Sequence, residues 1–388
     1  MNLLEDIIVI DFSQFLSGPS AGLRLADLGA QVIKIEKPVT GDICRELYVS
    51  DVLVEGESTI FHAINRNKQS FVADLKNKED VEKIKLLIAK ADVILHNFRP
   101  GVMERLGLGY DLVKEINPSI IYAEVTGYGN EGEWVGLPGQ DLLLQSVSGL
   151  TWLSNNNSDL PTPMGVSVVD ILAGAHIAQG ILATLYQRSI TGKGALVQVS
   201  MLESIVDFQF EVLTCFFNDG NQLPIRSAVN NANAFISAPY GIYKTKDNYL
   251  ALAMADIVKL GELTGCGRLR EYTDRSDWFL KRDEIKKILA DWLSSETTAY
   301  WISLLAPADI WCAKVMDYNE LVDEEGYKVL QMEVTVKTSS GLHIKTTRCP
   351  IRVDGNFLIS QTGAPLLGEH NEQIEKQFLI NRSTLLKK

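Results

Sequence analysis

The strongest constraint on this chain is the alternation of short apolar runs with helix-period segments over its first third. "IIVIDF" (7–12) reads as a buried strand, "GPSAGLRLADLGA" (18–30) as a helix closing on Gly29, and "QVIKIE" (31–36) as the next strand. After an irregular polar stretch come a strand "SFVADL" (70–75), a helix "KEDVEKIKLLIAKA" (78–91) and a strand "DVILHNF" (92–98). Short helices at 101–106 and 110–116 lead to the strand "SIIYAEVTG" (119–127). Strands that alternate with helices join by right-handed crossovers, so the expected class is α/β with a parallel sheet. Ligands of such sheets bind beyond the carboxyl ends of the strands, which singles out "SQFLSGPS", "EKPVTGD" and "NFRPG".

Further along, apolar residues at helical spacing predict a helix over 174–190, with Asp170 near its start, and 191–208 reads as turn, strand and helix. Residues 218–236 are polar and poorly patterned, as in a linker. A second unit begins with the hairpin "PYGIYKTKDNYLALAM" (239–254), continues through charged, Trp-containing helices (278–305) to about residue 327, and gives way to a β-rich end (331–353). The expected organisation is a first part over 1–217, the linker 218–236, a small domain 237–327 and a return segment 328–388. A length of 388 residues suits two or three domains.

Composition narrows the class of function. The net charge of −12 argues against nucleic-acid binding, which needs phosphate neutralisation by Lys and Arg; an anionic small molecule would need its basic residues gathered locally. "MNLLEDIIVIDF" carries acids ahead of its apolar run and does not read as a signal peptide. No apolar stretch is read as approaching the roughly 20 residues that span a bilayer. The five cysteines are scattered, without a CxxC or Cys/His cluster, so neither a zinc site nor a disulfide framework is expected and the expected compartment is the cytoplasm.

Dinucleotide binding is the first chemistry such a fold suggests. Glu36 ends the second strand, where an acid can hold a ribose, but the GxGxxG fingerprint is missing, and Gly18 and Gly22 read as aids to close packing. No GxSxG is present, and the five histidines neighbour no nucleophile in sequence. Basic residues in the first half (Lys34, Lys37, Arg45, Arg66, Lys68, Lys76, Arg99, Arg105) read as solvated surface charges; strand-end placement favours Lys37, Lys76, Arg99 and Arg105 as phosphate contacts. Asp170 stands among Val166, Val168, Val169, Ile171 and Leu172, a costly place for a carboxylate. It reads either as a helix cap or as a functional acid.

A family resemblance bears on that choice. It runs through "VIDFSQFLSGPSAGLRLADLGAQVIKIEKPVTGDICR" (9–45), "NRNKQSFVADLK" (65–76), "ADVILHNFRPGVMERLGLGYDLVKEINPSIIYAEVTGYGNEG" (91–132), "GVSVVDILAGAHIAQGILATLYQRSITGKG" (165–194), "APYGIYKTKDNYLALA" (238–253) and "APLLGEHNEQI" (364–374). In this order the stretches resemble the class III CoA-transferases, the family of formyl-CoA transferase, carnitine CoA-transferase and α-methylacyl-CoA racemase. The resemblance implies a large Rossmann-like domain built from both chain ends, a smaller α+β domain from the middle, and an interlocked homodimer.

It also implies a chemistry. In the family's transferases an aspartate in the pattern "G.SV.D…G" is the nucleophile, and that place falls on Asp170. CoA would then move from an acyl-CoA to a free carboxylic acid through an aspartyl-acyl anhydride and an aspartyl-CoA thioester. Coenzyme A serves as substrate and product, with no tightly bound cofactor. Positions matching the family's CoA contacts are Leu16, Ser17, Lys37, Ala73 to Lys76, Asn97, Phe98, Arg99 and Arg105, with Lys37 and Arg105 on the adenosine phosphates. Backbone N–H groups over 171–175 are expected as oxyanion donors. Racemases of the family resemble "GHD" before the aspartate; here "PGQD" puts Gln140 in place of that base, so Gln140 is expected to bind the acyl group rather than move a proton. Gln145, Tyr128 and Tyr240 are candidates for the acyl pocket. The alternatives are a racemase or epimerase of the same family and a non-catalytic acyl-CoA-binding protein. Neither nucleic acid nor membrane is an expected partner, and succinate and oxalate are acids the family suggests.

Overall fold

The computed structural model describes residues 3–47, 52–54 and 56–378. The chain divides into two compact units, one of residues 1–144, 167–208 and 330–388, the other of 145–166 and 209–329.

Six parallel strands organise the first unit: β1 (Ile8–Asp11), β2 (Gln31–Glu36), β3 (Gln69–Val72), β4 (Val93–His96), β5 (Ile121–Thr126) and β6 (Ala195–Ser200). They pair in the order β3-β2-β1-β4-β5-β6, and Ile10 in β1 faces Ile33 on one side and Ile94 on the other. This is the doubly wound order in which strand sequence reverses between β1 and β4. Val9, Ile10, Val93, Ile94 and Leu95 are all fully buried, because a parallel sheet is covered on both faces and its strands therefore read as continuous apolar runs. The helix α1 (Ser17–Asp27) follows β1, α2 (Lys78–Ile88) follows β3, and the long α3 (Val168–Thr191) precedes β6 and packs along α1. Helix α4 (Met201–Phe208) follows β6.

The second unit is a three-stranded antiparallel sheet, β7 (Gly241–Lys244), β8 (Tyr249–Leu252) and β9 (Cys312–Lys314), under helices α5 (Ile257–Thr264), α6 (Arg282–Leu293) and α7 (Thr298–Leu305). Tyr243, Leu250, Ile285, Leu289 and Trp301 fill its core. The chain then returns to the first unit with the hairpin β10 (Glu333–Lys337) and β11 (His343–Thr347) and a closing helix α8 (Asn371–Phe378), whose Ile374 and Phe378 join the core behind the parallel sheet. Residues 145–166 and the helix Phe210–Asn218 belong to the second unit, a division that differs from the expected 217/237 boundary. Polarity alone does not mark it, since Phe210–Asn218 is apolar and helical.

Two expectations need correction. Helix α3 begins at Val168, six residues before the predicted start, and runs for 24 residues. Among the described residues it is one helix long and apolar enough to cross a membrane by length and composition, contrary to the sequence reading, with a third of that apolar window buried. Its Val169, Ala173, Ile177 and Ile181 are buried, whereas Tyr186 and Ile190 are about 70% exposed.

Candidate active site

The loop after β1 is held from three directions. Asp11, the last residue of β1, accepts the backbone N–H and the hydroxyl of Ser13. The Lys34 ammonium, inside β2, donates to the Ser13 carbonyl at 2.8 Å and pairs with Asp42 at 2.7 Å. From the end of β4, the Asn97 amide accepts from the Gln14 N–H at 2.9 Å and donates to the Gln14 carbonyl at 2.7 Å. Between these clamps Phe15 takes φ +61°, a left-handed conformation that a bulky side chain adopts only when its surroundings impose it. Gly18 sits so close to Ser13 that a Cβ would overlap it. The outcome is a tight turn that delivers Ser17 as the first residue of α1, at the strand-order reversal.

Asp170 meets that turn. It is the third residue of α3, half-buried, and one turn before Gly174 on the same helix face. A Cβ on Gly174 would overlap Ser20 Oγ and lie 2.7 Å from the Ser17 carbonyl, so glycine is what lets α1 and α3 close on each other. The closure brings the start of α1 toward the carboxylate, and Ser17 favours the ionised form of Asp170. Asn97 in turn donates to Ser17 Oγ at 3.2 Å.

Asp170 stands in the first turn of α3, as a near-cap acid would, but it is not the capping side chain. The side chain that caps α3 is Asp141, whose Oδ1 accepts the N–H groups of Val169 at 2.8 Å and Asp170 at 3.2 Å. Nor are N–H groups over 171–175 open to a substrate: Ile171 donates to the Ser167 carbonyl, and the rest lie within the helical ladder. With a second carboxylate beside it, Asp170 is pushed up to about 6, first by burial and then by Asp141, with Ser17 pulling the other way. Among the described residues no cation contributes to its shift.

The basic residues divide into two groups. Lys37, Lys76, Arg99 and Arg105 are exposed, Lys37, Lys76 and Arg99 within four residues of the ends of β2, β3 and β4, and Arg105 ending the short helix Val102–Arg105 that follows. With Leu16, Ser17, Ala73, Asn97 and Phe98 they border four neighbouring strands at one edge of the sheet. Lys34, Arg45, Arg66 and Lys68, by contrast, are buried ion-pair partners of Asp42, Glu36, Asp27 and Asp11 and not surface charges. Glu36 is likewise unsuited to a ribose, since Arg45, Ser70 and the Asp42 N–H fill its oxygens.

Gln140 is exposed just ahead of Asp141, and its carbonyl accepts from the Leu144 N–H. Within the second unit the Gln145 amide is buried, accepting from the Met164 N–H and donating to the Val166 carbonyl. Among the described residues no three His, Cys, Asp or Glu side chains gather as metal ligands.

Two of these partnerships escaped the sequence reading. Asp141 lies 29 residues from Asp170 with no local pattern linking them. The buried lysines did leave a trace, since a charge inside "QVIKIE" has to find a partner if both faces of the strand are covered.

With the geometry in view, relatives become informative. The profile of CoA-transferase family III matches residues 4–371. The chain belongs to CoA-transferase family III. It is 31% identical to the acetyl-CoA:oxalate CoA-transferase of Acetobacter aceti, over 96% of this chain and 95% of that one. It is 30% identical to the succinyl-CoA:glutarate CoA-transferase of Mus musculus, over 98% and 87%. A crystal structure of a CAIB/BAIF family protein from Brucella suis superimposes with a TM-score of 0.81 at 27% identity, covering 96% of this chain and 98% of the other. The family III chain described here is therefore an enzyme, a CoA-transferase that uses CoA thioesters as substrates and carries CoA to carboxylates.

Proposed function

We propose that this CoA-transferase works by covalent catalysis on Asp170. The carboxylate attacks the thioester carbonyl of an acyl-CoA and expels CoA thiolate, leaving an aspartyl-acyl anhydride. The thiolate attacks the aspartyl carbonyl, forms an aspartyl-CoA thioester and releases the donor acid. The acceptor carboxylate attacks that thioester, regenerates an anhydride and frees the thiolate, which finally takes the acceptor's acyl group. The thioester's energy is kept in covalent form throughout, so no nucleotide is spent.

The observation that carries the reading is the state of Asp170: a half-buried carboxylate in the first turn of α3, with a second carboxylate, Asp141, bonded to its backbone N–H. Burial without a neutralising cation suits a group that must react. The CoA would lie along Leu16, Ser17, Lys37, Ala73, Lys76, Asn97, Phe98, Arg99 and Arg105, with exposed Lys37 and Arg105 on the phosphates. Gln140 would contact the acyl group; an amide exchanges no proton near neutral pH, which disfavours racemisation. Short dicarboxylates such as oxalate, succinate and glutarate are the acids the relatives suggest.

We further propose that the enzyme is a cytoplasmic homodimer, interlocked as the family resemblance implies. The exposed Tyr186 and Ile190 on α3 support this, as an apolar helix face needs a cover. A solution mass near twice 43.0 kDa is expected. The deciding experiment for the activity crosses a panel of acyl-CoA donors with carboxylic acids and reads new thioesters by mass. At least one dicarboxylate pair is expected to exchange with the wild type and none with Asp170→Ala; normal exchange by that variant contradicts the proposal.

A further inference from the structure

The register of the parallel sheet gathers a second set of polar groups. His96, Glu124 and Gln198 stand opposite one another across β4, β5 and β6, two residues beyond the row Ile94, Tyr122 and Leu196. Both rows therefore lie on one face of the sheet. The polar row and Leu196 line a cleft of about 260 Å³, shared with Phe98 and Tyr110. Asn97, between His96 and Phe98, bonds Gln14 and Ser17 instead, so the cleft and the turn before α1 lie on opposite sides of this segment. We infer that the cleft binds a small primary amine with an apolar body, its ammonium group seated between His96 and Glu124.

His96 is only 4% exposed, yet neither of its ring nitrogens has a hydrogen-bond partner. Buried polar groups are seldom left in that state without a ligand or water to satisfy them. Its Nε2 lies 3.7 Å from Glu124 Oε2, beyond hydrogen-bond reach. Burial holds the imidazole down to about 4 against the pull of Glu104, so near neutral pH the ring is uncharged and keeps one lone pair to accept with. Glu124 is oriented through its other oxygen: Oε1 accepts from Asn130 Nδ2 at 2.5 Å and from Gln198 Nε2 at 2.6 Å. Among the described residues nothing donates to Oε2, and no Lys or Arg pairs with this carboxylate. Two acceptors thus face one gap. An ammonium group donates to both at once and brings the positive charge that Glu124 lacks.

The rest of the cleft sets the ligand's size and sign. Its volume equals that of about eight or nine waters at roughly 30 Å³ each, room for about as many non-hydrogen atoms. The rings of Phe98 and Tyr110 offer π faces that favour a cation. Two acids, Glu104 and Glu124, line the cleft against the exposed Arg99, so an anion meets net repulsion. A metal ion is not the occupant the side chains suit, since among the described residues no three ligating groups gather.

The test titrates the full-length wild-type enzyme, free of CoA, with benzylamine, benzyl alcohol and benzoate in a calorimeter. The His96 ring signal is followed in parallel by NMR of ¹³C-histidine enzyme, assigned by its loss in His96→Asn. Benzylamine is expected to bind about 10- to 100-fold more tightly than benzyl alcohol, the range for a charge-assisted hydrogen bond, and to shift the His96 signal; benzoate is expected not to bind. Glu124→Gln keeps an oxygen for Asn130 and Gln198 but removes the charge, and is expected to bind amine and alcohol alike. No binding of benzylamine, equal affinity for the alcohol, or binding that leaves the His96 signal in place overturns the inference. A folded Glu124→Gln enzyme that keeps the wild-type preference for the amine also overturns it. None of these outcomes bears on Asp170 as nucleophile.

Discussion

Asp11, fully buried at the end of β1, and Asp170, half-buried in the first turn of α3, are treated in opposite ways. Burial alone would raise the Asp11 carboxyl, but Lys68 at 3.0 Å and Lys34 outweigh it and hold it below its usual range. Asp170 has no such cation, and burial with Asp141 pushes it up to about 6. The first arrangement fixes a loop; the second leaves a carboxylate short of compensation in the first turn of α3. The neutralised Asp11 is structural, and the uncompensated Asp170 is the group proposed to react.

Substitutions can break that contrast. Asp170→Asn is expected to lower CoA transfer by about 10⁴-fold or more, as for loss of a covalent nucleophile, in initial-rate assays. The same change is expected to stabilise the fold. Because folding raises this carboxyl from 3.8 to about 6, the folded state favours the protonated form. Wild-type stability therefore falls as pH rises between those values, and the deficit is complete above about 6. After discounting for partial exposure, Asp170→Asn is expected to gain about 1–2 kcal/mol at pH 8, fading below pH 4, in denaturant titrations. Lys68→Met has the opposite signature, because it strands Asp11 as an unpaired buried charge: a loss of about 3–5 kcal/mol in the same titrations.

Gly174→Ala tests the packing that joins the two regions. Its Cβ has to displace Ser20 and the Ser17 carbonyl, for about 1–3 kcal/mol of stability measured by thermal unfolding. Activity is expected to fall further than stability, since Ser17 moves with the helix. The smallest effect sharpens the electrostatics. Asp141→Asn keeps an oxygen to accept from the Val169 and Asp170 N–H groups but removes the neighbouring charge. The acid limb of kcat/KM, expected near pH 6 in the wild type because Asp170 must be ionised to attack, then moves to lower pH.

Much of the first unit was legible because a parallel sheet covered on both faces writes its strands as unbroken apolar runs. β1, β2, β4 and β5 lie within the segments read as strands, and β3 begins one residue ahead of its segment. The start of α3 was hidden, since Val168–Leu172 follows a Gly- and Pro-containing stretch and its cap, Asp141, is 29 residues upstream. Capping from a distant side chain leaves no mark in the local sequence. For the same reason Asp170 could be read as a cap, and Lys34, Arg45, Arg66 and Lys68 as surface charges: their partners are neighbours in space and not in the chain. The strand-end cations at 37, 76, 99 and 105 were legible because topology alone sets which loops share an edge.

The account turns on whether position 170 carries the acyl group, and one measurement reaches it directly. Enzyme mixed with an acyl-CoA substrate, quenched with hydroxylamine and digested is expected to show its added mass on the peptide containing Asp170, in an amount approaching one per subunit and absent from Asp170→Asn. Turnover with that peptide always unmodified, or an adduct on another side chain, contradicts it.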